Sequence, residues 1–288
     1  MPFRAPPPLS TDHILSLLDL CLRASAVILD YYDAGGDGVE VRQKADRSPV
    51  TEADLASHHL IVDGLRDLTP EVPILSEESS SAELARRRDW RRFWMVDPLD
   101  GTREFIERTG QFTINVALIE NHRPVLGLIA EPRRGRIALG IVGNGAWYCE
   151  RAGGQWQFLA IQTRALPQNE LVILSSHRHR NERLSQSLAF LESRFELFRQ
   201  NSGSALKFCD LAEGAGDCYP RFSPCSEWDV AAGDALVTAA GGRLTGLDGQ
   251  PLRYNDRDSL LSPNFLAVGD PSQELWKVLL DELEYELE

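Results

Sequence analysis

A series of apolar segments in the middle of the chain places the strongest limit on its fold. Between residues 112 and 156 the segments TINVALIE, PVLGLIAE, RIALGIV and GAWYCE follow one another, separated by short turns, most of which contain glycine. Apolar segments joined by such short turns are typical of antiparallel strands, because tight hairpins can connect them directly. The sequence therefore predicts a large, mainly antiparallel sheet in this region.

Helices are predicted before this sheet. Apolar residues recur at helical spacing after Asp12, which can cap a first helix that runs to about Tyr32. A second helix is expected at residues 51–68. The segment between residues 79 and 92 is polar and contains five arginines, at positions 86, 87, 88, 91 and 92. These arginines are expected on a solvated helix face.

The pattern changes near residue 168, where strands and helices begin to alternate. The segments LVILSS, FELFRQ and DCYPRF predict strands, and helices are expected at residues 182–193, 204–212 and 228–240. The acidic end, QELWKVLLDELEYELE, predicts an amphipathic surface helix. The chain is therefore divided into three regions: a flexible tail (1–11), an amino-terminal α+β part (12–170) and a carboxy-terminal α/β part (171–288).

Composition excludes several classes of protein. The 288 residues are 43% hydrophobic and 25% charged, so the chain can bury a sizeable core without disulfides. The net charge of −13 argues against binding to DNA or RNA polymers, which requires a basic face, and suits a protein that collects cations. Five cysteines without a CxxC pair, and no apolar segment of about 18 residues, favour a cytoplasmic protein without membrane attachment.

The segment DPLDGT, residues 97–102, carries the clearest chemical signal. A strand at residues 93–96 is expected to end at Pro98, because proline lacks a backbone N–H. Asp97 and Asp100 repel each other unless a cation neutralises them, and oxygen ligands favour a hard ion such as magnesium. Gly101 and Thr102 could begin a helix whose N–H groups meet an anion. A simple acidic turn that caps a helix is the alternative.

Three further acidic clusters accompany this segment. Asp54 stands three residues after Thr51, Glu77 and Glu78 follow a short apolar strand, and Asp229 begins an alanine-rich helix. Each cluster has a plain structural alternative. The first has the spacing of a helix capping box, the second could be a solvated loop, and the third could be an acid favoured by the helix dipole.

Taken together, these segments resemble a known family. SPVTEAD, LSEE, VDPLDGTREF and EWDVAAGDA, in this order, are similar to the signature of the inositol monophosphatase superfamily of magnesium-dependent, lithium-sensitive phosphatases. GSALKF, AEG and YPRF further resemble the bacterial 3'(2'),5'-bisphosphate nucleotidases. Arg103-Glu104-Phe105 is close to the Lys-Glu-Phe of that branch, whereas the inositol branch typically has Thr-Asn-Phe. The resemblance covers roughly residues 12–268.

The resemblance implies a fold and an activity. The fold would be the α+β layered αβαβα sandwich of this superfamily, with the active site between the amino-terminal and carboxy-terminal parts. The activity would be magnesium-dependent hydrolysis of adenosine 3',5'-bisphosphate, a by-product of sulfate assimilation, to AMP and phosphate. An inositol monophosphatase or sugar phosphatase, and a non-catalytic sensor of phosphonucleotides or cations, are the alternatives. The family often forms dimers, so a homodimer is also expected.

The same resemblance assigns metal ligands. Glu77, Asp97 and the carbonyl of Leu99 would hold one magnesium ion, and Asp97, Asp100 and Asp229 a second. Glu78 and Asp54 would surround a third, more weakly bound ion. The carboxylates would place several negative charges in one pocket, which is unfavourable unless divalent ions are bound. Such ions can activate a water molecule and stabilise a leaving oxygen, so no phospho-enzyme intermediate is expected.

Catalytic and substrate contacts are implied in the same way. Thr102 and Asp54 would orient and deprotonate the attacking water, and the N–H groups of Gly101 and Thr102 would hold the phosphate. Four further residues would contact the nucleotide and its second phosphate: His177, Ser204, Lys207 and Arg221. In the family these contacts belong to the nucleotidase branch, so they bear on the choice of substrate.

Overall fold

A seven-stranded sheet forms the centre of the molecule. The computed structural model describes residues 1–34, 41–43, 49–176 and 181–285. A short antiparallel pair, β1 (Val41–Gln43) and β2 (Pro49–Thr51), precedes this sheet. The sheet strands are β3 (Ile74–Ser76), β4 (Arg92–Asp100), β5 (Thr113–Glu120), β6 (Arg123–Glu131), β7 (Arg136–Ile141), β8 (Gly145–Ala152) and β9 (Gln155–Ile161). They lie side by side in chain order, antiparallel from β4 to β9, which confirms the predicted sheet.

A second, five-stranded sheet follows in the chain. Its strands are β10 (Glu170–Ser175), β11 (Glu196–Asn201), β12 (Cys218–Arg221), β13 (Arg243–Gly246) and β14 (Phe265–Val268). They lie in the order β11-β10-β12-β14-β13, and β10 is parallel to both of its neighbours. Parallel strands need a crossover connection, and helices supply it here. The alternation of strands and helices predicted after residue 168 is therefore confirmed.

Helices cover the faces of both sheets. They are α1 (Thr11–Asp33), α2 (Glu52–Leu68), α3 (Ser81–Leu84), α4 (Thr102–Ile106), α5 (Glu182–Glu192), α6 (Leu206–Ala212), α7 (Ala231–Ala239) and α8 (Glu274–Tyr285). No helix among the described residues is both long enough and apolar enough to cross a bilayer.

Successive side chains of β4 face different helices, and this alternation defines the layers. Trp94 and Val96 share a core with α1 and α2, whereas Phe93 and Met95 share a second core with α6 and α7. That second core also includes one face of the five-stranded sheet, whose other face packs against α5 and α8. The order of layers is therefore αβαβα, and the expected α+β layered sandwich is confirmed.

The amino-terminal residues differ from the expected flexible tail. Phe3, Ala5 and Leu9 are buried, and the ring of Phe3 lies 5.7 Å from that of Trp147 and 5.3 Å from that of Phe158. These apolar side chains belong to the first core, the one that α1 and α2 share with the seven-stranded sheet. Burial of apolar area is favourable wherever it occurs, so a proline-rich start did not prevent packing.

The first helix is capped by Ser10 rather than by Asp12. The N–H of His13 donates to Ser10 Oγ at 3.2 Å, and the N–H of Ser10 donates to His13 Nδ1 at 3.0 Å. The two residues therefore satisfy each other's backbone donors, as in a capping box, and Asp12 lies within the first turn.

One of the five arginines between residues 86 and 92 is not solvated. Arg87 is buried, and its guanidinium donates to Asn255 Oδ1 at 2.5 Å and to the carbonyl oxygens of Arg257 and Asp258. A buried guanidinium needs several acceptors, and this loop provides them. The expectation of a solvated helix face therefore fails at Arg87, and also at Arg92, which is half-buried at the start of β4, while Arg86, Arg88 and Arg91 are exposed.

Candidate active site

A bulge at the end of β4 turns two carboxylates to the same side. Asp97 is paired with Asn115 and Asp100 with Thr113, so three steps along β4 match two steps along β5. In a regular strand, residues three apart point to opposite faces, and an extra residue reverses that relation. The strand therefore continues through Pro98 instead of ending there, because the bulge accommodates a residue without a backbone donor.

Asp229 reaches this point from the other part of the chain. It ends a 3-10 turn, Glu227–Asp229, that leads into α7, and its Oδ2 accepts a hydrogen bond from the N–H of Ser226 at 2.9 Å. Carboxylate oxygens of Asp97, Asp100 and Asp229 all lie within 4.8 Å of one another. The structure therefore brings together three of the predicted ligands, from segments more than a hundred residues apart.

Glu77 and Glu78 lie in the turn directly after β3, the strand that pairs with β4. The N–H of Glu77 donates to the carbonyl of Val96 at 3.0 Å, which places Glu77 beside the residue that precedes Asp97. The charge of Glu77 contributes to raising the pKa of Asp97. Among the described residues, however, the group within 4.8 Å comprises only the three aspartates.

The aspartates are held in an environment that disfavours their ionised form. Burial, together with neighbouring carboxylates, raises the pKa of Asp229 to about 8 and that of Asp97 well above its ordinary value. Burial also raises the pKa of Asp100 to about 6, although Lys207 opposes this shift. A hard cation, which binds oxygen ligands, would stabilise the ionised form of carboxylates that lie this close together. The cluster therefore could hold a metal ion.

Asp54 is bound on both sides by threonine hydroxyl groups. Thr102 Oγ1 donates to Asp54 Oδ1 at 3.1 Å, and it also lies 3.4 Å from the carbonyl oxygen of Leu99. The N–H and hydroxyl of Thr51 donate to Asp54 Oδ2 at 2.8 and 2.5 Å. The capping arrangement and the predicted catalytic pair are therefore not exclusive alternatives. One carboxylate oxygen caps α2 while the other faces Thr102.

Position 101 requires glycine, both for its backbone conformation and because a side chain would not fit there. Its φ is 90°, in the left-handed region, and a Cβ there would lie 3.0 Å from the carbonyl oxygen of Gln111 and 3.2 Å from Ser204 Cβ. The positive φ and the short distances to an added Cβ would each make any other residue at this position costly. The glycine therefore lets the chain turn from β4 into α4 while Ser204 packs closely against it.

An open pocket adjoins the aspartate cluster and contains three of the four residues predicted to contact the nucleotide and its second phosphate. Asp100, Gly101 and Asp229 line it together with Ser204, Lys207, Arg221 and the rings of Phe208, Tyr219 and Phe265. His177 lies outside the described residues. The pocket therefore combines acidic, basic and aromatic side chains.

Lys207 is the most constrained of these basic groups. Its ammonium donates to the carbonyl oxygens of Ser202 at 2.9 Å and Ser204 at 2.7 Å, and it lies 5.3 Å from the ring centroid of Tyr219. Burial lowers the pKa of Lys207 to about 8, although the charge of Asp100 opposes this. Arg221 donates to the carbonyl oxygens of Ser223 and Pro224 at 3.3 and 3.2 Å.

Sequence reasoning missed polar residues on the strand beside Asp100. Asn115 Nδ2 donates to Asp100 Oδ2 at 3.2 Å, and Thr113 Oγ1 lies 3.4 Å from the same oxygen. Both belong to TINVALIE, a segment that predicts a strand and for which no site residue is predicted. Two polar side chains in an otherwise apolar buried strand were a signal that could have identified them. Glu104 also lines the pocket, and no role is predicted for it from the sequence.

Comparison with known proteins defines the class. The model of the inositol monophosphatase family matches residues 11–280, so this chain belongs to the inositol monophosphatase family. It is similar to the 3'(2'),5'-bisphosphate nucleotidase CysQ of Escherichia coli K12, with 43% identity over 246 residues (85% of this chain and 95% of the relative). CysQ of Salmonella typhimurium is 44% identical over 247 residues, with the same coverage of both chains.

Solved structures agree with this assignment. The crystal structure of CysQ from Bacteroides thetaiotaomicron, described as a bacterial member of the family, matches with a TM-score of 0.76 and 35% identity. It covers 88% of this chain and 96% of that one. An inositol monophosphatase from Thermotoga maritima has a TM-score of 0.73 at 23% identity, a similarity that concerns the fold alone.

Proposed function

We propose that this protein is a magnesium-dependent phosphatase that hydrolyses adenosine 3',5'-bisphosphate to AMP and phosphate. The observation that carries the proposal is a pocket lined by two members of the aspartate cluster, Asp100 and Asp229, and by two basic side chains, Lys207 and Arg221. An acidic cluster with bound cations suits the phosphate that is cleaved, and the basic side chains of the same pocket suit a second phosphate. The similarity to the relatives named CysQ supports the same substrate.

The donor set fits magnesium, because every proposed ligand atom is an oxygen. Three aspartates, with Glu77 and the carbonyl of Leu99, would hold two ions, and Glu78 and Asp54 would surround a third. Bound magnesium would polarise the phosphoryl group and make a water molecule more acidic. The protein's own part is to keep the ligands close together in a buried site, where neutralisation of their charges favours binding.

Asp54 and Thr102 would position the attacking water. Since Thr102 donates its proton to Asp54 Oδ1, the lone pairs of its hydroxyl oxygen remain free to accept a hydrogen bond from water. Burial raises the pKa of Asp54, which makes this carboxylate a better proton acceptor than a solvated aspartate. The N–H groups of Gly101 and Thr102 would hold the phosphate in line with that water.

A substrate panel tests this proposal. Phosphate release is measured from adenosine 3',5'-bisphosphate, inositol phosphate and fructose bisphosphate, with magnesium and after exhaustive chelation. We expect the adenosine bisphosphate to be the best substrate and chelation to abolish its turnover. Unchanged turnover after complete metal removal would contradict the proposed chemistry, and a preference for inositol phosphate would favour the inositol monophosphatase alternative.

The variant Lys207→Met distinguishes a bisphosphate substrate from a substrate with a single phosphate. It removes a buried positive charge beside the pocket, so kcat/KM for the bisphosphate should fall by about a hundredfold, in line with the loss of a charge-assisted contact. Turnover of a small phosphate ester with a single phosphate should fall much less. Lys277→Met, on the exposed face of α8, is the matched control. Equal losses for both substrates would contradict a role of Lys207 in binding the second phosphate.

A cytoplasmic location and a homodimer, both expected from the sequence and the resemblance, stay predictions. Fractionation of cells and light scattering of the purified protein would test them.

A further inference from the structure

Helix α2 contacts the bulge of β4 through a buried serine. Ser57 Oγ donates to the carbonyl oxygen of Pro98 at 2.7 Å, and Ser57 is fully buried. Serine in a helix commonly donates to the carbonyl four residues earlier. Ser25 and Ser187 do so in this protein, each at 2.8 Å, to Cys21 and Arg183. Ser57 instead makes a contact across 41 residues of sequence.

This hydrogen bond completes the restraint of one peptide unit. The carbonyl of the unit between Pro98 and Leu99 accepts from Ser57, and its N–H donates to Asp97 Oδ1 at 3.0 Å. Because a peptide unit is planar, fixing both of its polar groups fixes its rotation about the chain. That rotation sets where the Leu99 N–H meets the Asp97 carboxylate. It also sets the start of the next peptide unit, which carries the Leu99 carbonyl.

We propose that Ser57 is a positioning residue for the metal centre. By holding the peptide unit between Pro98 and Leu99, it orients one carboxylate oxygen of Asp97 and the carbonyl of Leu99 toward the cation. This inference rests on the proposed function, since both groups are proposed magnesium ligands. Partners that orient metal ligands typically change metal affinity by about 10–100-fold when they are removed.

The variant Ser57→Ala tests this role. It removes the hydroxyl group and leaves the ligands and the pocket unchanged. We expect magnesium alone, titrated calorimetrically into the protein without substrate, to bind about tenfold more weakly than to the wild type. The magnesium concentration for half-maximal activity should rise by a similar factor, while kcat at saturating magnesium changes by less than about threefold.

Thr69→Val is a matched control, because Thr69 directly follows the last residue of α2 and contacts the same strand, β4. Trp94 Nε1 donates to Thr69 Oγ1 at 2.9 Å, and both residues are buried. This bond also links the end of α2 to β4, but at Trp94, three residues before Asp97. The variant keeps the side-chain shape and removes a buried hydroxyl that accepts from Trp94 and donates to the carbonyl oxygen of Leu65 at 3.1 Å, so it should lower thermal stability without changing magnesium affinity.

A second readout does not depend on the metal. Leu99 donates its N–H within the restrained unit, so its amide hydrogen should exchange faster in metal-free Ser57→Ala than in metal-free Thr69→Val. Ser25→Ala, which removes a helix hydroxyl outside the site, should leave both the exchange and the magnesium affinity as in the wild type.

The outcomes separate this inference from the proposed function. If the wild type binds magnesium and is active, and Ser57→Ala binds magnesium equally well, the positioning role is wrong while the phosphatase remains. If Thr69→Val weakens magnesium binding as much as Ser57→Ala does, the effect is a general loosening of α2 against β4, and the role is again wrong. If the wild type itself neither binds magnesium nor releases phosphate, the proposed function and this inference both fall.

Discussion

At the scale of single residues, Asp54 makes two sets of contacts at once, those of a helix cap and the contact with Thr102 that the proposed catalytic pair requires. Its Oδ2 accepts from the backbone and the hydroxyl of Thr51, so it caps α2, and its Oδ1 accepts from Thr102. A carboxylate has enough lone pairs for all of these donors. The capping bonds therefore hold the side chain in the orientation that the Thr102 contact requires.

Asp54→Asn should separate turnover from binding. An amide can keep the bonds from Thr51 only if its carbonyl oxygen faces that residue, which points its NH₂ group at Thr102 and reverses the direction of that hydrogen bond. We expect phosphate release to fall by at least about a hundredfold, a typical loss for a general base. Nucleotide binding should change little, as measured by equilibrium dialysis.

Asp63→Asn is the control for this change, because Asp63 is exposed on the same helix. It should leave phosphate release at the wild-type level. Full turnover by Asp54→Asn would contradict a catalytic role for Asp54. If the wild-type protein bound nucleotide and released no phosphate, it would be a sensor instead of an enzyme.

At the scale of elements, the close packing of α7 against the large sheet determines where Asp229 lies. A Cβ at Gly127 on β6 would lie 2.2 Å from the carbonyl oxygen of Ala232, and one at Gly140 on β7 would lie 2.5 Å from Leu236 Cα. Backbone groups of α7 thus rest directly on these glycines. Since α7 begins just after Asp229, the packing of this helix fixes the distance of Asp229 from the end of β4.

Gly127→Ala should therefore affect both stability and metal binding. The added methyl group meets backbone atoms that cannot rotate away, and overpacking of this kind costs about 1–3 kcal/mol in the free energy of unfolding. The displaced helix should also weaken magnesium binding. Denaturant unfolding and calorimetric titration with magnesium measure the two effects.

Gly269→Ala is the matched control, because the nearest atoms to its added Cβ would lie 3.5 Å away, an ordinary contact. It should change neither the unfolding free energy nor the magnesium affinity appreciably. If Gly127→Ala lowered stability and left magnesium affinity intact, the position of Asp229 would not depend on how α7 packs.

At the scale of the whole molecule, folding gathers acidic groups that the unfolded chain keeps apart. In the metal-free protein, burial and neighbouring carboxylates raise the pKa of Asp229 to about 8, and burial raises that of Asp100 to about 6. Between about pH 4 and pH 8 the folded state therefore binds more protons than the unfolded state. The contribution of these groups to stability is lost as the pH rises through this window.

This linkage predicts that the stabilisation of the folded protein by metal depends on pH. We expect the melting temperature of the metal-free wild type to fall, relative to that of Asp229→Asn, as the pH rises from 5 to 8.5. An amide does not ionise, so the variant lacks this contribution. Magnesium should raise the melting temperature of the wild type most at the upper end of the range, where the carboxylates are ionised. Parallel pH profiles for the two metal-free proteins would contradict this prediction.

Much of the fold was predictable from the sequence because it depends on local patterns. The apolar segments between residues 112 and 156 predict the antiparallel sheet, and the periodicity of apolar residues predicts the ends of most helices to within a few residues. Burial of Phe3 and Arg87 was not predictable, since each depends on partners distant in the chain, such as Trp147 and Asn255. The capping of α1 by Ser10 needed the exact geometry of its first turn.

The sequence by itself determined which chemical groups the candidate site contains. Acidic motifs such as LSEE, DPLDGT and EWD carry their oxygen atoms regardless of context, and their order along the chain is enough to indicate the family. Gly101 was also set locally, because its turn requires a positive φ. These features depend on residue type and short-range sterics, which a sequence states directly.

Only the tertiary structure decided how these groups meet. The bulge that turns Asp100 toward Asp97 depends on pairing with β5, and the approach of Asp229 depends on the packing of α7 against two glycines. The bond from Ser57 to Pro98 likewise joins elements that share no sequence pattern. Distances between remote segments are set by the packing of the layers, and no local preference of the chain contains that information.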